Sequence, residues 1–405
     1  MTNELLGVFG FLISSVFVGI LSFKRPELAK ILLIAFLARI LFIIINNYVF
    51  TLPDGAFDAV KYERYGWEWS SNNQLFFEKF VGPATFFYSW IIGVVYEFLD
   101  RSILFIQFLS ATTGVALVYV SWLLTRHLFG IKEAKKVAWI MALHPVILMY
   151  SALTMREVYI SFFFVYSLYH FMLWYSQPEK RGMNFFKSCF LAIAAIFFHG
   201  AMVVLLAIIV FFYTYKKIKM SRTLSISRVF GLFFAILVIL ALVMLWYYDV
   251  RIPKLGSIES SVDPARWMSE IRHRTIGVSA YPEFLIAKEK LDLIWVVPIR
   301  LFYFMFSPFA WDVTNIRHFF GVADGLFYIY LFFYIYKNRS IIFNRTDVKI
   351  LFGIMLIFIF IFSIGTGNSG SAVRHRSKFL PLILVFFSKA FCFKKRKRER
   401  AKEGG

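Results

Sequence analysis

Apolar stretches close to 20 residues long follow one another along almost the whole chain, separated by short polar breaks. NELLGVFGFLISSVFVGILSF comes first, AKILLIAFLARILFIIINNYVF next, and LFGIMLIFIFIFSIG stands near the far end. Wound as a helix, a run of that length crosses a hydrocarbon core of about 30 Å. No strand-like alternation competes with these runs. The pattern predicts an all-α polytopic integral membrane protein: one transmembrane domain, residues 1–392, and a basic tail, FKKRKRERAKEGG, over 393–405. The first run, 4–23, has neither a basic start nor a small-x-small cleavage site, so it is expected to be a true span.

Composition agrees. Hydrophobic residues make up 60% of the 405, with 51 Phe, against about 45–50% in a soluble domain. The net charge of +21 would suggest nucleic acid in a soluble protein. Here it orients the spans, because Lys and Arg collect in cytoplasmic connections. No nucleic-acid partner is expected; membrane lipids are. The two cysteines, Cys189 and Cys392, form no framework and no thiolate metal site.

The basic connections are 24–30, 126–136, 176–187, 215–228, 337–349 and the tail, all assigned to the cytoplasm. The others, 50–82, 154–157, 199–200, 248–290, 310–317 and 365–375, fall outside. Two runs break the alternation. Residues 83–99 and 291–309 would each put the next basic loop on the wrong side if they crossed fully. The second, LDLIWVVPIRLFYFMFSPFAW, carries Pro298, Arg300 and Pro308. Proline interrupts the helix ladder and a mid-membrane Arg is costly, so a broken or re-entrant helix is expected. This gives about eleven full crossings and two partial ones, amino terminus outside and carboxyl terminus inside.

In that topology the unusual polar residues share one face. LPDGAFDAVKYERYGWEW holds Asp54, Asp58 and Glu63 among aromatics. Asp54 and Asp58 are spaced to share a helix face. A carboxylate in a half-dry cleft can take a proton from a hydroxyl, would suit a divalent metal, or is simply a solvated acid. Arg156 and Glu157 interrupt two apolar runs, either as a functional pair or as a self-paired cap on a span. Arg374, His375 and Arg376, with Lys378 behind them, follow the Gly- and Ser-rich turn GTGNSGS. Arginine forks match phosphate geometry, and Arg300 is a fourth candidate. Acids for a hydroxyl and arginines for a phosphate are what sugar transfer from a lipid phosphate requires.

PDGAFDAVKYE after an early span, HPVILMYSALTMRE, and NSGSAVRHRSKFLP occur in the order found in polytopic membrane glycosyltransferases of the GT-C superfamily, which the sequence resembles. The resemblance implies a polyprenyl-phosphate-linked sugar donor and a glycan or lipid acceptor of the cell envelope. It implies a plasma-membrane location with the site on the outer face. Asp58 becomes the expected base, with Asp54 and Glu63 as alternates or metal ligands. Arg156, Glu157, Arg300, Arg374, His375 and Arg376 become the substrate-binding set. The sequence departs from the family pattern in three ways. An extra span precedes the acids, the adjacent acidic pair is missing, and no soluble domain is expected after the spans. A polymerase of lipid-linked repeat units is the neighbouring reading, favoured by the long 248–290 loop. A flippase is the non-enzymatic one.

Overall fold

The computed structural model describes residues 3–75, 84–177, 181–220, 264–275, 277, 279–313 and 316–403. Among them the protein is all-α, a polytopic membrane protein with no named strand. One isolated bridge joins Ala280 and Asn368. The α-helices of eight residues or more, in chain order, are α1 (Asn3–Lys24), α2 (Pro26–Ile44), α3 (Asp58–Ser71), α4 (Ala84–Leu99), α5 (Ile103–Phe129), α6 (Ile131–Leu143), α7 (Pro145–Ala152), α8 (Glu157–Ser176), α9 (Arg181–Phe198), α10 (Val203–Met220), α11 (Pro264–Arg274), α12 (Leu293–Phe306), α13 (Ile316–Lys337), α14 (Thr346–Ile364), α15 (Ser369–Arg376) and α16 (Leu380–Glu403).

Seven of the described helices are long and apolar enough to cross a membrane, and two shorter apolar ones accompany them. The run over 229–247, counted among the expected crossings, lies outside the described residues, as do residues 248–263 of the 248–290 loop. α6 and α7 follow each other with a single break at His144–Pro145. A proline pushes the residue before it out of the α region, and His144 sits at φ −65°, ψ 121°.

Side-chain ties gather the connections at two ends of the bundle. At one end Arg126 meets Glu27 at 3.4 Å, His127 meets Ser176 at 2.9 Å and Arg345 donates to the Leu128 carbonyl at 2.6 Å. At the other, Thr154 donates to the Ala59 carbonyl at 2.9 Å and Arg374 pairs with Asp58. These are the same two groups that the charge pattern separates. Large apolar side chains such as Leu12, Val16, Leu37, Phe190 and Phe333 point outward, as a lipid-facing surface requires.

The two partial runs are short helices: α4 has 16 residues and α12 has 14, fewer than the roughly 20 that span a bilayer. The break expected within α12 is absent. The helix runs straight through Pro298 and ends only at Ser307. A proline removes one backbone donor, and neighbouring groups in a membrane bundle compensate for it. Arg300 does not line a wet cavity. It is wholly buried, donating to the Thr366 carbonyl at 2.6 Å and the Leu285 carbonyl at 3.2 Å, with Tyr281 against its guanidinium.

Candidate active site

The site is assembled by three short elements at the end of the bundle that carries Ala59 and Thr154. The first is the turn 52–57 leading into α3. It is stapled to the π-helical turn Ile45–Val49 that follows α2, where Asn46 accepts from the Leu52 backbone at 3.1 Å. Gly55 packs so closely there that a Cβ would stand 2.7 Å from the Asn46 side chain, so only glycine fits. Asp54 precedes it with φ +63°, a conformation that Asp tolerates better than most residues. The helix therefore begins at Asp58, not before Asp54, and the two acids do not share a helix face. They converge instead because the turn folds Asp54 back. Asp58 occupies the first turn of α3, where the helix dipole favours a negative charge.

The second element is the stretch from α7 to α8. Tyr150 donates to Asp54 at 2.9 Å. Arg156 donates to the Phe198 carbonyl at 3.1 Å and lies over the Tyr62 ring. Glu157 opens α8 with its carboxylate buried. The third is α15. Asn368 caps it, accepting from Ser371 at 2.7 Å. The turn before it is fixed by the long loop, Tyr281 donating to the Gly367 carbonyl and Ser369 to the Ser279 carbonyl, each at 2.9 Å. Arg300, on the Thr366 carbonyl, holds the same turn.

Arg374 and Arg376 are two residues apart on α15 and so face opposite ways. Arg374 turns toward α3 and α8. It donates to Asp58 and stands 3.7 Å from Glu157, beyond hydrogen-bond reach. Lys378 is 3.9 Å from the same Glu157 oxygen and 2.7 Å from His375. Two members of this cluster are open: the Asp58 side chain is 36% exposed and that of Arg374 17%. Arg156, Glu157 and Lys378 are enclosed behind them.

The two aspartates are tuned apart. Burial works to raise the Asp58 carboxyl, but the charge and hydrogen bond of Arg374, helped by Arg156 and Lys61, overcome it and leave the group below its ordinary value. Asp54 is more deeply enclosed; burial holds it above its ordinary value despite Arg374 and the Tyr150 hydroxyl. Asp58 is thus the more readily ionised of the two.

The structure brings Asp54, Asp58, Arg156, Glu157, Arg374 and His375 to one place. Three expected site residues are elsewhere engaged. Glu63 is buried against Arg101, 2.8 and 2.9 Å from two of its nitrogens, and accepts from Tyr96 at 3.0 Å. Five residues beyond Asp58 on the same helix, it points to α4 rather than to the cluster. Arg300 holds the turn before α15. Arg376 is wholly enclosed by Asp324 at 2.6 Å, by the Gly321 carbonyl at 3.2 Å and by the Ser307 carbonyl. Tyr150 was missed because nothing in HPVILMYS marks one tyrosine among many. Among the described residues no group of three or more His, Cys, Asp or Glu is arranged to hold a metal ion, and the two aspartates are already matched by Arg374 and Tyr150.

No protein-family model matches the sequence, and neither does any curated protein sequence. Among solved structures, the archaeal oligosaccharyltransferase AglB from Archaeoglobus fulgidus, in complex with an inhibitory peptide and a dolichol-phosphate, is similar with a TM-score of 0.53 at 17% identity. The Archaeoglobus fulgidus oligosaccharyltransferase in its apo form gives the same values. In both cases the match covers 94% of this chain and 52% of the other. The chain therefore shares the fold of these two structures over about half of their length.

Proposed function

We propose that the protein is a membrane glycosyltransferase. It moves a sugar from a polyprenyl-phosphate-linked donor to an envelope glycan or lipid acceptor, on the extracytoplasmic face of the plasma membrane. The observation that carries this reading is the pairing of Asp58 with Arg374, two residues 316 positions apart, at the partly open mouth of a buried charge cluster.

Each partner has a task. Arg374 exchanges its carboxylate for the donor phosphate, a match of charge and geometry, and that exchange releases Asp58. The acceptor oxygen then attacks the anomeric carbon while Asp58 takes its proton. The bond from that carbon to the phosphate oxygen breaks. The lipid phosphate leaves with the electron pair, its growing charge met by Arg374 and, behind it, by Arg156 and Lys378. Asp54, held by Tyr150, keeps the turn in shape. Displacement by an external hydroxyl with a single base inverts the anomeric centre.

The test is the surface-glycan profile of the host on a gel, wild type against Asp58→Asn and Arg374→Ala at matched membrane level. Both variants are expected to lose the product. A sugar missing from otherwise intact chains identifies a transferase, and collapse to single repeat units a polymerase. An unchanged profile overturns the reading and leaves the flippase, which needs no base.

A pH profile identifies the base independently. The acid limb of kcat/KM reports the free enzyme's essential base. Because Asp58 is depressed, activity is expected to persist as pH falls through the ordinary carboxylate value of 3.8 and to be lost only below it. A limb above that value would assign the base to Asp54 instead.

A further inference from the structure

α15 is eight residues long, and helices that short have little stability of their own. Where it stands is decided at its ends. Arg376 fixes the last turn through Asp324. The first turn is fixed by a joint with the long outer loop. Tyr281 and Ser369 donate across that joint, to the Gly367 and Ser279 carbonyls, and Ala280 is bridged to Asn368 between them. The fit is close: a Cβ on Gly367 would stand 2.2 Å from the Arg274 carbonyl, at the end of α11. Arg300, on α12, reaches both sides. Its Nη2 donates to the Thr366 carbonyl at 2.6 Å. Its Nη1 donates to the Leu285 carbonyl at 3.2 Å and lies 3.4 Å from the Thr275 hydroxyl. Thr366 belongs to the turn before α15; Leu285 and Thr275 belong to the loop. Tyr281, whose backbone crosses the joint, covers the guanidinium with its ring at 5.3 Å.

We infer that Arg300 is a positioning residue: by gripping loop and turn together it fixes where α15 presents Arg374. The inference rests on the transfer reading for what Arg374 then does, and on these contacts alone for what holds it there. A guanidinium suits the task. Its planar fork serves two acceptors at once, and a charged donor holds a carbonyl roughly twice as strongly as a neutral one. Arg374 lies five residues beyond Ser369, about 7.5 Å along the helix, so a tilt at the joint is carried to its guanidinium. Asp58 registers any such shift. It faces Arg374, Arg156 and Lys61, with Asp54 nearby. Burial raises its carboxyl, and Arg374 is the strongest of the groups that lower it.

Two variants approach the joint from opposite sides. Arg300→Lys keeps the buried charge but replaces the fork with a single ammonium. Gly367→Ala leaves every charge in place and pushes the loop away. Both are expected to lower kcat/KM by about 10²-fold, the scale of a 1 Å misplacement, with a higher KM for the lipid-linked donor. Both should move the acid limb of kcat/KM to higher pH, because Asp58 loses the pull of Arg374. A merely structural role would reduce the amount of active protein, and so kcat, with KM and the limb unmoved; that result overturns the inference. Amide hydrogen exchange on the full-length protein in phospholipid vesicles reads the joint without any transfer. In either variant, peptides from 279–285 and 369–376 are expected to exchange faster together. Faster exchange of the loop peptides alone overturns the inference, even where Asp58→Asn abolishes transfer. Loosening of both, with the glycan unchanged in the Asp58 variant, sustains the grip on α15 and sinks the transfer chemistry. The wild-type protein supplies a reading that needs no variant to fold: the amides of Tyr281 and Ser369 are expected to share one degree of protection. A protected Ser369 beside a freely exchanging Tyr281 overturns the inference.

Discussion

Replacing Asp58 by Asn is expected to lower kcat by about 10²–10⁴-fold, the range that a positioned general base supplies, while KM for the lipid-linked donor stays level or falls. The direction of KM is the discriminating part. In the resting protein Asp58 occupies Arg374, so the donor phosphate must displace it. Asn cannot hold the guanidinium by charge, and the phosphate then competes with less. Arg374→Ala removes the phosphate's partner and should raise KM as well as lower kcat. It also leaves Glu157, buried and 3.7 Å away, with a cation fewer. Steady-state kinetics with varied donor on purified protein reads both parameters. If the two variants shift KM in the same direction, the exchange of carboxylate for phosphate is wrong.

The second large effect concerns the other arginine of α15. Arg376→Met is expected to destabilise the protein by about 3–5 kcal/mol, because it strands Asp324 as a buried charge. The double variant Asp324→Leu with Arg376→Met is expected to recover most of that loss, since apolar replacements for a buried ion pair are often neutral or better. Thermal unfolding in detergent measures the pair. A double variant as unstable as the single one would mean that the contacts of Arg376 with the Ser307 and Gly321 carbonyls, rather than its charge balance, hold α13 to α15. Arg374→Met, at a side chain that is 17% exposed rather than enclosed, should cost less stability while abolishing transfer.

These contrasting roles show where the sequence could be read and where it could not. Span length and the alternation of basic connections speak directly to the physics of a bilayer. The helical class, the two short runs at 83–99 and 291–309 and the grouping of connections were therefore legible. So was the convergence of Asp54, Asp58, Arg156, Glu157 and Arg374, because charges at span ends on one face have few places to go. What composition does not encode is which way a side chain turns. RHR places two arginines on opposite faces of one short helix, one toward Asp58 and one toward Asp324, and the letters are the same. Glu63 looked like a third site acid until Arg101, 38 residues away, proved to be its partner. The spacing of Asp54 and Asp58 suggested a helix face, but Gly55 and the positive φ of Asp54 replaced it with a turn. Pro298 looked like a break, but the helix continues through it to Phe306.

Arg39 lies within α2, wholly buried, with its Nη1 donating to the Ala35 carbonyl at 2.7 Å. It fits only because Gly114 of α5 has no side chain; a Cβ there would stand 2.4 Å from the guanidinium. Ser151, on α7, crowds the same glycine. The chamber for Arg39 is thus made by Gly114 and Ser151, on helices synthesised well after α2. During biogenesis α1 and α2 would leave the insertion machinery as a hairpin with a bare cation in mid-bilayer, at a cost of about 2.5–3.5 kcal/mol on insertion scales. The rest of the α2 span, the most apolar of the seven, carries that cost until α5 and α7 arrive. The order in which the bundle assembles is in this way written into a single glycine.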